Sequence, residues 1–278
     1  MTSTVPELTL NSGYRIPQLG LGVFLVPQDE AQRVVTDALE VGYRHIDNAA
    51  VYRNEEGVGR ALAESGIARD ELFITTKLWN TEQGSDAPRP ALEESLEKLG
   101  LDYVDLYLIH WPAPQRDLYV ESWQALEQLR DEGLVRSIGV SNFEPEHLDR
   151  LAEHSSVIPA VNQVELHPAL QQRELRGVQE PRGILTEAWG PLGQAKYALE
   201  EMPGLSEIAT KHSKTLPQVI LRWHIQEGVI VFPKTTKKER LKENFEVFDF
   251  ELDASDMAAM KAMDQGMRVG THPNEGNW

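Results

Sequence analysis

Apolar residues in this chain cluster into short runs that stop abruptly on polar ones. The runs at 43–47, 72–77 and 104–110 each read as a short buried strand, followed by a turn and then a helical pattern. Runs at 19–23, 137–140, 160–165, 184–188 and 229–232 have the same character. They bring the expected strands to eight, after a small hairpin over 8–16 whose turn is Asn11-Ser12-Gly13. Amphipathic helical spacing follows at 28–40, 55–63, 90–99, 118–130, 145–152 and 240–247. Glu-rich helix starts, and glycines at helix ends such as Gly42, Gly66 and Gly133, agree with helix polarity. The sixth helical pattern is the weakest, because Gly177 and Pro181 interrupt it. Eight strand-then-helix units with buried strands predict an α/β fold: a closed (β/α)8 TIM barrel carrying an N-terminal β-hairpin. A Rossmann sheet is the competitor, but Gly20-Leu21-Gly22 is too short to be its phosphate-binding turn.

In a parallel barrel the C-terminal strand ends converge on one rim, where polar side chains read as catalytic. The first three runs deliver Asp47, Tyr52, Lys77 and His110 there. A carboxylate, a phenol, an amine and an imidazole in one pocket can protonate a carbonyl oxygen. A free phenol titrates near 10, so Tyr52 alone is a reluctant acid. A cation beside it favours the phenolate, and Lys77 is expected to lower the Tyr52 pKa in this way, with Asp47 holding the ammonium. The bland alternative is an Asp47–Lys77 structural ion pair with Tyr52 merely packed against it. His45 lies within a strand and is expected to be a satisfied core histidine.

Composition narrows the classes. The 278 residues fit one large α/β domain, and no Pro/Gly/Ser linker divides them, so a single domain over 1–278 is expected. Lys+Arg 27 against Asp+Glu 44 leaves a net charge of −17, which disfavours nucleic acid and anionic membranes as partners. Cysteine is absent, excluding disulfides, thiolate metal sites and a cysteine nucleophile. No second His or carboxylate lies at ligand spacing near His110, so no metal is expected. The first ten residues lack a basic-then-apolar signal, and no apolar stretch reaches the length of a membrane span. A cytoplasmic protein is the expectation.

Three separated stretches now carry a resemblance: GYRHIDNAAVYRNE at 42–55, LEKLGLDYVDLYLIHWP at 96–112 and PKTTKKERLKEN at 233–244. In order and content they resemble the motifs of the aldo-keto reductase family. With WGPLGQ at 189–194, the chain looks most like the bacterial 2,5-diketo-D-gluconate reductase group. The resemblance implies NADPH-dependent reduction of aldehydes and ketones to alcohols by a monomer, with Tyr52 as general acid and His110 orienting the substrate oxygen. It further implies that Ser141, Asn142 and Gln163 hold the nicotinamide carboxamide and that Trp189 stacks on the ring. Gly190, Leu192, Gly193 and Gln194 would run along the pyrophosphate. Lys234, Thr235, Lys237 and Arg240 would read the adenosine 2′-phosphate, within a basic cluster that also contains Lys238. Glu243 and Asn244 would face the adenine. Phe24, Trp79 and Trp111, with the tail from Gly270 to Trp278, would line the mouth for a small carbonyl compound.

Two residues depart from the family pattern. Asn48 stands where a Ser or Thr is usual beside the catalytic Asp, and Lys237 where Arg is common, which removes a bidentate grip on phosphate. Some members of such a family bind cofactor without turnover, so a sensor or structural subunit is the rival class.

Overall fold

The computed structural model describes residues 5–276. β1 (Glu7–Thr9) and β2 (Arg15–Pro17) pair antiparallel, with Leu8 opposite Ile16. Their turn closes through Gly13, whose φ of 89° is a conformation glycine adopts without steric cost.

The second sheet has eight parallel strands in chain order. They are β3 (Leu21–Gly22), β4 (His45–Asp47), β5 (Phe73–Leu78), β6 (Val104–Ile109), β7 (Val135–Ser141), β8 (Val161–Glu165), β9 (Leu185–Trp189) and β10 (Ile230–Val231). The sheet closes on itself where Leu19 bridges Val231. Gly20 N donates to Val231 O at 3.0 Å and Val231 N to Gln18 O at 2.8 Å. The predicted TIM barrel is therefore the fold, with its first and last strands shorter than their apolar runs.

Helices α1 (Gln28–Val41), α2 (Glu55–Glu64), α3 (Pro88–Leu99), α4 (Tyr119–Asp131) and α5 (Pro145–His154) follow β3 to β7 in turn. The sixth, α6 (Arg173–Gln179), is short; Gly177 lies inside it, and Pro181 is the middle residue of the 3₁₀ turn Glu180–Arg182 that follows it. Between β9 and β10 lie α7 (Leu205–His212) and α8 (Leu216–Gln226), neither of which was among the patterns identified from sequence. α9 (Lys238–Phe245) begins two residues earlier than expected, and α10 (Ala254–Ala262) precedes the tail.

Strand side chains alternate between the barrel interior and the helices, with period two. Leu10 and Ile16 of the hairpin form one apolar cluster with Phe73, Leu106, Leu108, Val161, Ile230 and Phe232, and Leu185 packs against it. These are interior positions at the strand starts, so the hairpin stoppers the N-terminal end of the barrel. Counting on by twos gives Thr75 and Lys77 on β5, His110 after β6, Gln163 and Glu165 on β8, and Glu187 and Trp189 on β9. The interior thus runs from apolar at the plugged end to polar at the open one. Gly139 shows how tight it is: a Cβ there would meet Leu108 Cδ2 at 2.8 Å and Val161 Cγ2 at 2.9 Å.

Candidate active site

Asp47 ends β4, Lys77 lies one residue before the end of β5, and His110 follows β6 directly. Tyr52 is carried by the 3₁₀ turn Ala50–Tyr52 that leaves β4. The ammonium of Lys77 is fully buried and donates to Asp47 Oδ1 at 2.7 Å and Asn48 O at 2.8 Å. It lies 5.4 Å from the centroid of the Tyr52 ring. That ring meets His110 edge-on, centroids 5.7 Å apart, and His110 meets Trp79 in the same manner at 5.2 Å. Phe24, which is 44% exposed, leans on the other side of Tyr52 at 5.2 Å. All four expected residues share one corner of the rim, and half-buried aromatic rings surround them. Trp111 follows His110 in the chain and is also half-buried.

The electrostatics depart from the sequence expectation at one point. Burial pushes the Tyr52 phenol up to about 12, with Lys77 pulling it down by charge and hydrogen bonding and Asp47 pushing it up. Lys77 acts in the predicted direction, but desolvation of the phenolate outweighs it. Tyr52 therefore keeps its proton throughout the ordinary pH range. Burial also works against the Lys77 ammonium, yet Asp47, Tyr52 and Glu187 together hold it above the usual lysine value. The His110 imidazole is driven well below its usual range, by burial first and Lys77 second, so it is neutral. Its Nδ1 is buried without a hydrogen-bond partner. His45 is the core residue expected: fully buried, bonded to Pro17 O and Thr75 Oγ1, and pushed down to about 4 by burial. The Asn48 substitution leaves a mark, because both polar atoms of its amide are buried and unpaired.

Next to this corner the expected carboxamide residues form a connected set. Ser141 Oγ donates to Gln163 O at 2.8 Å, and Asn142 Nδ2 to His110 O and Ser141 Oγ at 3.0 Å each. Asn142 Oδ1 accepts the indole N–H of Trp189 at 2.7 Å. Gln163 Nε2 donates to Asp47 Oδ1 at 2.9 Å and also to Glu187 Oε2 at 3.0 Å. Glu187 was not singled out from the sequence. The available signal was its position two residues before Trp189, on the same face of the strand.

The loop beyond Trp189 is built from unusual backbone. Gly190, Gly193, Gln194 and Ala195 all have φ between 51° and 68°. Consecutive residues of this kind turn their N–H groups toward a common side, as anion-binding loops do. Leu192 is half-buried in the same loop, which Tyr197 backs: a Cβ on Gly193 would lie 2.2 Å from the Tyr197 ring. Tyr197 OH meets His167 Nδ1 at 3.1 Å, and His167 Nε2 meets Glu165 Oε1 at 3.1 Å.

Lys234, Lys237 and Arg240 are exposed around the start of α9, and Thr235 Oγ1 caps Lys237 N at 3.1 Å. Lys238 beside them pairs with Asp37 at 2.9 Å and with Glu40. Glu243 Oε1 is engaged by the Thr215 hydroxyl at 2.6 Å, and Asn244 is buried. The tail docks over β8: Val269 N and Gly270 N donate to Glu165 at 2.6 and 2.9 Å. A Cβ on Gly270 would lie 2.5 Å from the Trp189 ring. Residues 277 and 278, the end of the expected mouth, lie outside the described residues. Among the described residues no group of His, Asp or Glu is arranged to hold a metal ion, and no helix is long and apolar enough to cross a membrane.

An aldo/keto reductase family profile matches residues 18–265. The chain belongs to that family. It is 52% identical to an aldo-keto reductase of Mycolicibacterium smegmatis over 98% of each chain. It is 50% identical to the methylglyoxal reductase DkgA of Yersinia pestis over 96% of each. The structure matches a mutant of Gox0644 in complex with NADPH at a TM-score of 0.94 and 47% identity, covering 99% of this chain and 100% of that one. Members of the family are oxidoreductases that act on carbonyl compounds with a nicotinamide cofactor. The planar half-buried indole of Trp189, fixed by Asn142 beside Ser141 and Gln163, suits such a ring, and the left-handed loop after it suits phosphates.

Proposed function

We propose that this chain, acting as one catalytic unit over its whole length, reduces small aldehydes and ketones to alcohols with NADPH. Its foremost substrate class is the 2-oxoaldehydes, of which methylglyoxal is the simplest probe. The observation that carries the reading is the buried Lys77–Asp47 pair at 2.7 Å, with the ring of Tyr52 over the ammonium and a neutral His110 beside it. When bound, the cofactor supplies a hydride to the carbonyl carbon. Ser141, Asn142, Gln163 and Trp189 would hold the nicotinamide, Gly190, Leu192, Gly193 and Gln194 the pyrophosphate, and Lys234, Thr235, Lys237 and Arg240 the 2′-phosphate. Glu243 and Asn244 lie on the adenine side.

The chain's own part is proton delivery and orientation. As negative charge develops on the substrate oxygen, Tyr52 gives up its proton to it. An alkoxide is a much stronger base than a phenolate, so the transfer runs downhill even from a phenol titrating near 12. Lys77 lowers the cost of the phenolate left behind, and Asp47 keeps the ammonium in place. Neutral His110 can donate one ring N–H to the same oxygen, and Lys77 nearby keeps it in that neutral form. Phe24, Trp79 and Trp111 form apolar walls that suit a small substrate. The likeness to the methylglyoxal reductase relative favours methylglyoxal over a dedicated sugar ketone, with 2,5-diketo-D-gluconate as the second substrate to compare. The family resemblance and the absence of any long apolar segment in the sequence support a monomeric cytoplasmic enzyme.

Loss of nicotinamide absorbance, followed with methylglyoxal and a panel of sugar ketones, tests the reading. Tyr52→Phe should lower turnover by about 10²–10⁴-fold while NADPH still binds. Unchanged turnover in that variant removes Tyr52 as the acid. NADPH binding without turnover by the parent chain favours the sensor instead.

A further inference from the structure

Glu187 is fully buried in the barrel interior, yet among the described residues only one side-chain hydrogen bond reaches it, from Gln163 Nε2 at 3.0 Å. Its other oxygen has no partner. Register explains the contact, because β8 and β9 pair with Gln163 directly opposite Glu187. Both protons of the Gln163 amide are then committed, one to Asp47 and one to Glu187. Asp47 is paired with Lys77 as a carboxylate, which accepts and does not donate, so the amide nitrogen must face this side; Glu187 accepts from the same nitrogen through an oxygen that bears no proton, and Gln163 Oε1 faces away. That oxygen accepts from no described residue and is not sealed from solvent. Asp47 alone would leave the amide free to swing about one bond. Two acceptors on different strands fix it.

We propose that Glu187 is a positioning residue for the reductase site: it locks the Gln163 amide so that its oxygen is presented to the carboxamide of the nicotinamide. The inference rests on the NADPH-dependent reading above and deepens it. The charged groups that bear on Glu187 are Asp47 on β4 and Lys77 on β5; Gln163 comes from β8, and β10 sets Ile230 beside it. With Asp47 and Lys77 already balancing, a second anion has no counter-charge. Burial first, and Asp47 second, push the Glu187 carboxyl up to about 8. Above that pH a new negative charge appears beside Asp47 and Lys77. It makes the Tyr52 phenolate harder to form, so turnover should fall on the alkaline side.

Two substitutions separate geometry from charge. Glu187→Gln keeps an acceptor for Gln163 but cannot ionise. Its NADPH dissociation constant, read by quenching of tryptophan fluorescence, should stay within about twofold of the parent, and its kcat profile should lose the parent's decline between pH 7 and 9. Glu187→Leu removes the acceptor at similar volume and should weaken NADPH about tenfold, the value of one positioned hydrogen bond. Unchanged NADPH affinity in the Leu variant, with an unchanged pH profile in the Gln variant, overturns the proposal. Should Glu187→Leu fail to fold, the profile and affinity of the isosteric Glu187→Gln decide alone. The parent measured alongside keeps the two claims apart: an active parent with indifferent variants sinks only Glu187, whereas a parent that neither binds NADPH nor turns over takes both readings down.

Discussion

Glu165 and Glu187 are both fully buried in the barrel interior, on adjacent strands, yet their environments push them in opposite directions. Glu165 receives Val269 N at 2.6 Å, Gly270 N at 2.9 Å and His167 Nε2 at 3.1 Å, and Arg268 comes within 3.8 Å. Burial pushes its carboxyl up, but those donors outweigh burial and hold it below the usual range. Glu187 has one neutral donor and an anionic neighbour, and titrates near 8. Burial alone therefore does not decide whether a carboxyl is charged. The supply of donors does. One glutamate is an anion that pins the tail against Trp189; the other holds a proton where the site already has its full complement of charge.

The hardest blow to this arrangement is Lys77→Met. Among the described residues the ammonium is the only cation paired with Asp47, and it also bears on Glu187. Removing it leaves a buried carboxylate uncompensated, and we expect a loss of about 3–5 kcal/mol in chemical denaturation. Turnover should drop by at least about 10²-fold. A variant that retains the parent's stability would mean that the rim tolerates unpaired charge, and the contrast between the two glutamates would lose its physical basis.

A smaller effect is expected from Glu165→Gln. The amide keeps one acceptor but turns an N–H toward the tail, so one of Val269 N and Gly270 N loses its partner. About 1–3 kcal/mol should be lost, and limited proteolysis should cut the segment 268–276 faster than in the parent. The same substitution at Glu187 should leave the tail protected. Equal protease sensitivity in both variants would erase the distinction drawn between them.

How much of this was legible in the chain depends on the distance over which partners act. The strand runs and their polar ends gave the barrel and the corner of Asp47, Tyr52, Lys77 and His110, because strand periodicity and chain order are local properties. Glu187 could have been reached by counting two residues back from Trp189 on a strand whose inward face was already assigned. The latch on Glu165 could not, since its donors Val269 and Gly270 lie over 100 residues later in the chain. The net Tyr52 pKa departs from expectation for a similar reason: Lys77 pulls it down as its motif spacing implies, whereas the desolvation that outweighs that pull belongs to the assembled rim. The acidic partners of Lys238 were likewise not legible, since Asp37 and Glu40 reach it only once α1 packs against the start of α9.

The subtlest consequence of the comparison is a difference in slope against pH. In the unfolded chain both glutamates titrate near 4.5. The folded pKa of Glu187 is raised to about 8, so between these values the native state holds a proton that the unfolded state has lost. That linkage lowers stability steadily as pH rises from 4.5 to 8, and it levels off above. Glu187→Gln removes the slope, so the variant should gain on the parent steadily across this window, at up to about 1.4 kcal/mol per pH unit. For Glu165 the sign reverses. Its folded pKa is depressed, so its contribution is complete above the ordinary carboxylate range and is lost only as pH falls through the folded value. The difference between Glu165→Gln and the parent should therefore be flat from pH 5 to 8 and shrink only in acid. Denaturation curves collected at pH 5, 6, 7 and 8 for the three proteins read both slopes directly. Parallel curves for the two variants would show that the glutamates share one protonation state, and the proton assigned to Glu187 would have no place in the barrel.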